Sequence, residues 1–552
     1  MKNKIPCSMQ QLNLVKLKRV LLSVSNKDNL FELCSYLTEK GCELVATSST
    51  LQSVRKMGFA CSSVSDVTHF PEILGGRVKT LHPSIFGGIL ARQDNQSDCL
   101  ELQQHNIQMF DLVVCNLYPV QQVLENNASN EEIIESIDIG GVSLLRAAAK
   151  NYESVSVLCD TADYKIFIEL SKQHNGSVPL LLRKQLAVKV FSETSAYDYA
   201  IFSYLEKQLV SQDNVLKNYD GPIQLKNAQN LKNLPESFNL SFTKHKDLRY
   251  GENPHQNAAL YKINQCKNQN SLTMTNMNCF HGKELSYNNV LDIEHAIKLS
   301  VDLSNKFTAV ILKHNTPCGV GVSSESLHEA YKRAFEFDPV SPFGGIVCFN
   351  SSVTYECAVE LAEIFLEVII APHFDDASLE VLRKKKNLRL VTFNPQQALT
   401  NSMQITHVQG AILLQSSNNL VFDSRKLHFA TKIKPNNFAL QAFQLGMSVV
   451  KHVRSNAIVV ANRFQTLAIA GGFTNRVDAV AYCLSKVNQV SDEVILASDA
   501  FFPFSDSIEL IKNSGIRFVI QPGGSIQDAN VIKACDDYEI SMAFTNIRHF
   551  KH

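Results

Sequence analysis

The stretch "RVLLSVSNKDNLFELCSYLTEKGCELVATSS", residues 19–49, predicts the architecture of the first part of the chain. Its first seven residues are typical of a buried strand, and apolar residues then recur at helical spacing from Leu30 to Leu37. Gly41 is placed to end that helix, and "ELVAT" begins a second strand. The alternation continues through "FDLVVCNLYP" and "SVSVLCD". It predicts an α/β fold, a parallel sheet with flanking helices, whose functional residues lie at the carboxyl ends of the strands.

The bulk composition narrows the class of protein. The chain has 552 residues, too many for one ordinary domain, and 45% of them are hydrophobic, which excludes disorder as a general description. Lys plus Arg and Asp plus Glu both number 53, so no general attraction to nucleic acid or to an anionic membrane is expected. The 14 cysteines form no C-x-x-C pair, and neither a signal peptide nor a membrane-spanning run is apparent. We expect a cytoplasmic protein with reduced thiols.

The domain organisation follows from changes in composition. A helix-compatible segment, 181–205, closes a first domain over 14–205, and residues 206–240 are polar, rich in Asn and Gln, and predicted to connect two domains. The second domain, 241–552, again mixes strands and helices. Its strands "VILKHN" and "SNAIVVAN" both carry amide or imidazole groups at an end. A diverged duplication of one fold unit is therefore a hypothesis for this domain.

Three segments of the first domain are rich in anion-binding groups. "GGRVKTLHP" places Arg77 and Lys79 beside a glycine pair, whose bare backbone lets N–H groups approach a ligand. The first strand ends in "SVSNK" and the second in "ATSST", where hydroxyls and amides precede a helix. Each end alone is more often a helix cap. Together they predict a phosphate or ribose-phosphate pocket, whose candidate residues are Ser25, Lys27, Thr47, Ser48, Ser49, Thr50, Arg77, Lys79 and Thr80.

Two further segments of this domain bring acid–base groups. Tyr118 follows the strand in "CNLYP", and Asp138 precedes Gly140 at the start of a helix that carries Lys150. A carboxylate, a phenol and two lysines could donate, accept and stabilise charge around a bound phosphate compound. Taken singly, Asp138 is more often a helix cap and Tyr118 a core aromatic.

The second domain has its own motifs. "LRYGENPHQ" concentrates hydrogen-bonding side chains, Arg249 and Tyr250 among them, in a loop. "VILKHNTPCGVG" leads an apolar strand into Lys313 and His314, a pair suited to proton transfer, because a neighbouring ammonium favours the neutral imidazole. "SDAFFPFSD" offers Phe501 for stacking, unless the ring is simply part of the core.

The motifs resemble, in order and over nearly the whole chain, one family: the bifunctional purine-biosynthesis enzymes that combine phosphoribosylaminoimidazolecarboxamide (AICAR) formyltransferase with IMP cyclohydrolase. The resemblance implies formyl transfer from the co-substrate 10-formyltetrahydrofolate to AICAR, giving FAICAR, and ring closure of FAICAR to IMP. It implies a methylglyoxal-synthase-like N-terminal cyclohydrolase domain. It further implies a C-terminal transformylase domain of two cytidine-deaminase-like subdomains, acting as a homodimer. The zinc signatures H-x-E and P-C-x-x-C do not occur, so no catalytic metal is expected.

The resemblance also assigns residues. Lys79, Tyr118, Asp138 and Lys150 match the cyclohydrolase group, with either lysine able to stabilise the oxyanion. His314 would accept the proton of the attacking amine, and Lys313 would stabilise charge. The positions matching those that hold ribotide and folate are Arg249, Tyr250, Asn289, Asn456, Arg476, Phe501 and Arg548.

Two departures from the family pattern matter. Ser48 and Ser49 stand where the family has a glycine pair, and Phe473 stands where it has glutamine. Serine adopts a positive φ less easily than glycine, so weaker cyclohydrolase binding is one expectation. Two other interpretations compete. A methylglyoxal-synthase-like lyase acting on dihydroxyacetone phosphate would leave the second domain unused, and a nucleotide-binding regulatory protein would have lost turnover through these changes.

Overall fold

The computed structural model describes residues 13–118, 120–125, 128–211, 234, 240, 242–263, 271–303, 305–395, 398–399, 403–420, 422–487 and 490–552. The chain divides into two compact units, the N-terminal unit Met1–Pro235 and the C-terminal unit Glu236–His552. Most of the predicted connection, 206–240, lies outside the described residues. Within the described residues, no helix has both the length and the apolar character needed to cross a bilayer.

The N-terminal unit is built around a five-stranded sheet. Its elements are β1 (Leu14–Lys16), β2 (Arg19–Val24), α1 (Leu30–Glu39), β3 (Glu43–Ala46), α2 (Ser48–Lys56), β4 (Ser62–Ser63), α3 (Val64–Thr68), α4 (Pro83–Leu90), α5 (Gln96–Gln104), β5 (Leu112–Asn116), α6 (Val120–Glu125), α7 (Asn130–Glu135), α8 (Ile139–Lys150), β6 (Ser156–Leu158), α9 (Tyr164–Gln173), β7 (Ser177–Pro179) and α10 (Leu180–Ser211). Short 3-10 turns cover Leu74–Gly76 and Thr161–Asp163. The predicted strand from Arg19, the helix from Leu30 and the second strand from Glu43 are confirmed.

All strands of this sheet run parallel in the order β4-β3-β2-β5-β6. Strands β2, β3 and β5 are largely apolar and mostly buried, as expected for a sheet with helices on both faces. Strands β3 and β4 lie on one side of β2, and strands β5 and β6 lie on the other. Such a reversal opens a crevice at the carboxyl ends of β2 and β5, where α/β proteins commonly bind ligands.

The C-terminal unit contains two six-stranded sheets. Its elements are β8 (Phe242–Leu248), β9 (Ala258–Ile263), β10 (Ser271–Leu272), β11 (Asn278–His281), α11 (Tyr287–Asp302), β12 (Phe307–Lys313), β13 (Thr316–Ser323), α12 (Leu327–Glu336), β14 (Ile346–Phe349), α13 (Tyr355–Glu363), β15 (Val368–Ala371), α14 (Asp376–Leu382), β16 (Arg389–Thr392), β17 (Ala398–Leu399), β18 (Met403–Val408), β19 (Ala411–Ser416), β20 (His428–Phe429), α15 (Asn437–Val450), β21 (Ile458–Ala461), β22 (Thr466–Ala470), α16 (Arg476–Lys486), β23 (Ile495–Ser498), α17 (Asp506–Ser514), β24 (Phe518–Gln521), α18 (Asp528–Asp537) and β25 (Ser541–Phe544). A 3-10 turn covers Ser424–Lys426.

The two sheets have the same topology. The first has the order β11-β16-β15-β14-β12-β13 and the second β20-β25-β24-β23-β21-β22. Each order begins with an antiparallel edge strand, continues with three parallel strands and ends with an antiparallel hairpin. Each hairpin also has a register shift near the end of its first strand. The duplication hypothesis is therefore supported by connectivity, although no sequence repeat is visible.

The two halves of this unit share one core. A cluster of buried residues joins the inner faces of both sheets to α11 and α15, while separate clusters cover the two outer faces. Backbone pairing adds to this contact, since Val322 N donates to Phe464 O at 2.7 Å and Val320 N to the Thr466 hydroxyl at 3.0 Å. The halves thus form one body, and groups from both can contribute to one site.

Candidate functional sites

Asn116, the last residue of β5, ties together the crevice of the N-terminal unit. Its Oδ1 accepts hydrogen bonds from Ser25 N at 2.7 Å, from the Ser25 hydroxyl at 3.1 Å and from Asn26 N at 2.9 Å. Its Nδ2 donates to Asn26 O at 2.9 Å. The Lys27 ammonium turns back onto Ser25 O at 3.2 Å. One side chain therefore sets the backbone of the predicted "SVSNK" loop.

The second predicted loop is the start of α2. Ser48 and Ser49 lie in the first turn of this helix and need no positive φ, so the expected strain of serine in place of glycine does not arise. The first N–H groups of a helix attract anions. Thr47 and Thr50 are buried and serve the fold: the Thr50 hydroxyl bonds Val24 N at 3.0 Å and the Thr47 hydroxyl bonds Ser23 at 3.2 Å.

Glu72, three residues before the "GGRVKT" segment, connects this segment to the start of α2. The Ser48 hydroxyl contacts the Glu72 carboxylate. Glu72 Oε2 and Lys79 Nζ lie 3.8 and 3.9 Å from the position that a Cβ on Gly76 would take. Gly76 has a φ of 92°, which favours glycine. Arg77 is exposed and pairs with Glu135. Arg77 is therefore paired with a carboxylate, and Glu72 and Lys79 both approach Gly76.

Thr80 connects this segment to the start of α8. It is 2% exposed, and its hydroxyl lies 3.0 Å from the position that a Cβ on Gly140 would take. Asp138 caps α8, its Oδ1 accepting from Gly141 N at 2.7 Å, and its own N–H donates to the Tyr197 hydroxyl at 2.7 Å. The helix-cap interpretation of Asp138 is correct. The carboxylate nevertheless lies beside Thr80, at the carboxyl edge of the sheet.

Lys150 lies at the other edge of the sheet. It is the last residue of the twelve-residue helix α8, about 17 Å along the axis from the Asp138 end. The next residue, Asn151, donates to Ile89 O at 2.7 Å and Ala91 O at 2.8 Å. The structure thus separates Lys150 from the group with which the sequence placed it, because a helix carries its two ends to opposite edges of the sheet.

Tyr118 faces a cavity of about 510 Å³ beyond β5. Asn26, Asn116, Asp160 and Tyr197 also line this cavity. The Tyr118 side chain is 53% exposed, so it is not the core aromatic of the alternative interpretation. Tyr118 and Asn116 place this cavity next to the crevice.

In the C-terminal unit, Lys313 ends β12 and His314 and Asn315 form the two-residue turn to β13. Both turn residues have positive φ, 51° and 60°. Such turns match the twist of the paired strands. Asn315 N donates to Asp292 Oδ1 at 2.6 Å. Burial raises the pKa of Asp292 above its ordinary value, although the Asn315 N–H and then the neighbouring His314 oppose this shift.

Asn289, one turn before Asp292 on α11, is buried with both amide atoms engaged. Its Oδ1 accepts from Ser286 N at 3.1 Å, and its Nδ2 donates to Glu367 Oε2 at 2.8 Å. Arg249 stacks on Tyr250 and donates to its hydroxyl at 2.6 Å. The bond from Asn289 to Glu367 means that the Asn289 amide orients the Glu367 carboxylate in this structure.

Lys313 does not point into the protein interior. Its ammonium donates to Phe343 O at 2.8 Å. The Phe343 and Phe365 rings stand 5.3 Å apart and both are exposed, as is Val340. An apolar surface thus borders the predicted lysine–histidine pair.

The second half of the unit contains a buried ion pair. Arg476 donates to Asp499 Oδ1 at 2.5 Å and to Asn456 Oδ1 at 2.7 Å. Phe473 O accepts from Asn456 N at 3.1 Å and from its Nδ2 at 3.0 Å. Because Asn456 bonds the backbone carbonyl of residue 473, phenylalanine in place of glutamine at this position does not remove the contact. The Phe473 ring packs on Tyr482 instead, 5.6 Å away.

Phe501 and Arg548 are both connected to the Arg476–Asp499 ion pair. Phe501 is close to Asp499 in the chain, and Arg548 is next to a residue that bonds the Asp499 backbone. Phe501 is half-buried two residues after Asp499. Arg548 is exposed and stacks on Phe550, while the adjacent His549 N donates to Asp499 O at 2.9 Å. A second cavity of about 500 Å³ near Asn278 and Thr392 is lined by none of the predicted site residues.

Several residues of these sites were missed from the sequence. Asp292 and His295 follow Asn289 at helical spacing, a signal that could have found them. Asn116, Glu72 and Glu367 carry no local signal, because their importance comes from contacts with distant segments.

Comparison with known proteins places these sites in context. The family described as "AICARFT/IMPCHase bienzyme" matches residues 148–486, more than half of the chain, and the "MGS-like domain" matches residues 29–143. Proteins called "Bifunctional purine biosynthesis protein PurH" from Bacillus mycoides (strain KBAB4) and Bacillus cytotoxicus are each 41% identical over 536 residues. Those alignments cover 97% of this chain and 100% of each relative. A solved structure titled "Crystal structure of ForH" is 36% identical over 33% of this chain and 94% of its own, at a TM-score of 0.31, too low to carry an argument.

These matches define the class of enzyme. The protein is a two-unit enzyme of purine biosynthesis, and its N-terminal part is methylglyoxal-synthase-like. The chain belongs to the AICARFT/IMPCHase bienzyme family. It is accordingly a formyltransferase acting on AICAR and a cyclohydrolase forming IMP. The lyase interpretation and the interpretation without turnover are therefore wrong.

Proposed function

We propose that the N-terminal unit closes the ring of FAICAR and that the C-terminal unit transfers the formyl group, with domains at 14–205 and 241–552. The observation that carries the first half is that Thr80 and Asp138 meet at the start of α8, with Lys79 next to Thr80 in the chain, while Asn116 anchors the loop at the carboxyl ends of β2 and β5. The start of α2, with Ser48 and Ser49, binds the phosphate of the substrate. Arg77 leaves Glu135 to meet the ligand, at small cost because an exposed ion pair contributes little.

In ring closure, the carboxamide nitrogen attacks the formyl carbon, and water leaves. Lys79 stabilises the oxyanion that forms on the formyl oxygen, since Lys150 lies at the opposite edge of the sheet. Asp138 and Tyr118 move protons between the nitrogen and the departing oxygen.

In formyl transfer, the amine of AICAR attacks the formyl carbon of 10-formyltetrahydrofolate. His314 accepts the amine proton, and Lys313 stabilises the charge that develops or assists the departing folate nitrogen. The support is the turn geometry, which presents His314 at the end of β12 with Asp292 behind it. Asn456, Arg476, Phe501, Arg548, Arg249, Tyr250 and Asn289 complete this site as groups that bind or orient substrate.

We further propose that each half of the C-terminal unit has a cytidine-deaminase-like fold without zinc, and that the protein works as a cytoplasmic homodimer. The repeated strand order supports the first statement. The exposed surface of Val340, Phe343 and Phe365 beside Lys313 supports the homodimer, since apolar patches mark interaction sites.

One experiment tests the division of labour. Purified protein is assayed separately for formyl transfer, as tetrahydrofolate release, and for ring closure of supplied FAICAR. His314→Ala should remove formyl transfer and spare ring closure, and Lys79→Ala should do the reverse, each loss being about 100-fold or more. Lys150→Ala is the matched control and should keep ring closure within about threefold. Equal losses in both reactions, or a Lys150→Ala loss as large as that of Lys79→Ala, would contradict the assignment.

A further inference from the structure

A cationic cluster lies where the two halves of the C-terminal unit meet. Lys551 belongs to the segment after β25, whose backbone pairs with Ser455: Ser455 N donates to Lys551 O at 2.9 Å. The Lys551 ammonium contacts the His295 ring, 3.1 Å from Nδ1 and closer to Nε2, and lies 3.3 Å from His452 O. A lysine from the second half thus reaches α11 of the first half.

His295 connects Lys551 to the His314–Asn315 turn. Its Nδ1 lies 2.8 Å from Asn315 Oδ1. Asn315 is the neighbour of His314, and both adopt the left-handed backbone that side chains rarely take. Asp292 holds the backbone of the turn, and His295 holds the Asn315 side chain. The position of His314 therefore depends on α11 and on what fixes the His295 ring.

The charges around His295 determine which atoms donate and which accept in its hydrogen bonds to Lys551 and Asn315. Burial, and then Lys551 and His452, lower the pKa of His295 to about 3, so the ring is neutral at pH 7. A neutral ring has one donor and one acceptor: Nδ1–H donates to Asn315 and Nε2 accepts from Lys551. Burial lowers the pKa of Lys551 to about 8, which leaves the ammonium mostly charged at pH 7.

Other charged groups face this pair from each neighbouring element. Glu294 and Lys298 lie on α11 and act on Lys551 in opposite directions. Lys451 and His452, after α15, both pair with Asp302 at 2.9 and 2.7 Å. Asp302 is thus paired with Lys451 and His452, whereas Lys551 contacts the His295 ring and the His452 carbonyl.

We propose that Lys551 is a positioning residue for formyl transfer, which fixes the His314–Asn315 turn through the neutral ring of His295. The inference rests on the proposed role of His314. It makes the second half of the unit a contributor to the reaction at a turn of the first half. Ring closure, carried by the N-terminal unit, should be independent of it.

Lys551→Met removes the charge and keeps the length of the side chain. We expect kcat of formyl transfer to fall roughly 10- to 100-fold, as for loss of a hydrogen bond to a charged group, with KM for AICAR within about threefold and ring closure unchanged. Lys551→Arg should recover most of the rate. His295→Leu should lose as much as Lys551→Met, and the double variant no more than either, because both interrupt one connection.

The pH profile separates positioning from simple support of the fold. Lys551 is charged below about pH 8 and loses its charge above it, so kcat of the wild type should decline there. In Lys551→Arg, which stays charged, that decline should move to higher pH.

Three outcomes overturn the inference: kcat of Lys551→Met within twofold of the wild type, a change in KM alone, or losses that multiply in the double variant. If Lys551→Met does not fold, Lys551→Arg and its pH profile decide. His314→Ala is measured alongside. Retained formyl transfer in His314→Ala contradicts the proposed function, whereas loss there with an unaffected Lys551→Met contradicts only the inference.

Discussion

Asn116 offers a sharp test of the N-terminal site, because one amide joins two strand ends. Asn116→Ala removes the acceptor of Ser25 N, of the Ser25 hydroxyl and of Asn26 N, together with the donor to Asn26 O. Each such bond has a net value of about 1 kcal/mol, and water replaces part of the loss because Asn26 is exposed. About 2–3 kcal/mol of loop organisation should therefore be lost.

That energy converts to activity if the Ser25–Lys27 loop holds the substrate together with the start of α2. At about one decade per 1.4 kcal/mol, kcat/KM for ring closure of supplied FAICAR should fall roughly 30- to 140-fold. Formyl transfer, measured on the same sample, should not change. The measurement is a FAICAR titration that follows IMP formation.

The chain provides a matched control in Asn151. This asparagine also makes two hydrogen bonds to backbone, to Ile89 O and Ala91 O, but at the opposite edge of the same sheet. Asn151→Ala should lower the melting temperature and leave kcat/KM for ring closure nearly unchanged. If Asn116→Ala stays within threefold of the wild type, or Asn151→Ala loses as much, the reasoning about the crevice is refuted.

Two further predictions concern stability in acid and assembly. Burial lowers the pKa of His295 to about 3 and that of His549 to about 4, so below pH 6.5 the unfolded chain takes up protons that the folded chain does not. Each histidine should then lower the free energy of unfolding by about 1.4 kcal/mol per pH unit, and urea unfolding at pH 7, 6 and 5 should show a shallower decline in His295→Gln; equal slopes would contradict this. Sedimentation velocity should show a dimer that Phe343→Asp weakens, with loss of formyl transfer but not of ring closure; a wild-type monomer at assay concentration would exclude the proposed interface.

The chemistry-bearing residues of both units could be read from the sequence because they follow strands. Apolar strands such as "RVLLSVS" and "FTAVILKHN" mark their own ends, and the polar groups after them, Ser25 and His314, lie where parallel and hairpin strands expose them. The family pattern supplied the reaction. The strain expected of Ser48 and Ser49 does not arise, since both lie in the first turn of α2 with ordinary φ.

What the chain determines by itself is local: the period of apolar residues, the ends of strands and the chemistry placed there. The tertiary structure alone decided which of these groups meet. A helix rises about 1.5 Å per residue, and that rise separates Lys150 from Asp138, although both belong to one short motif. Conversely, packing of one half on the other brings Lys551 to His295, residues 256 positions apart, because contacts in a folded chain depend on how elements pack and not on sequence distance.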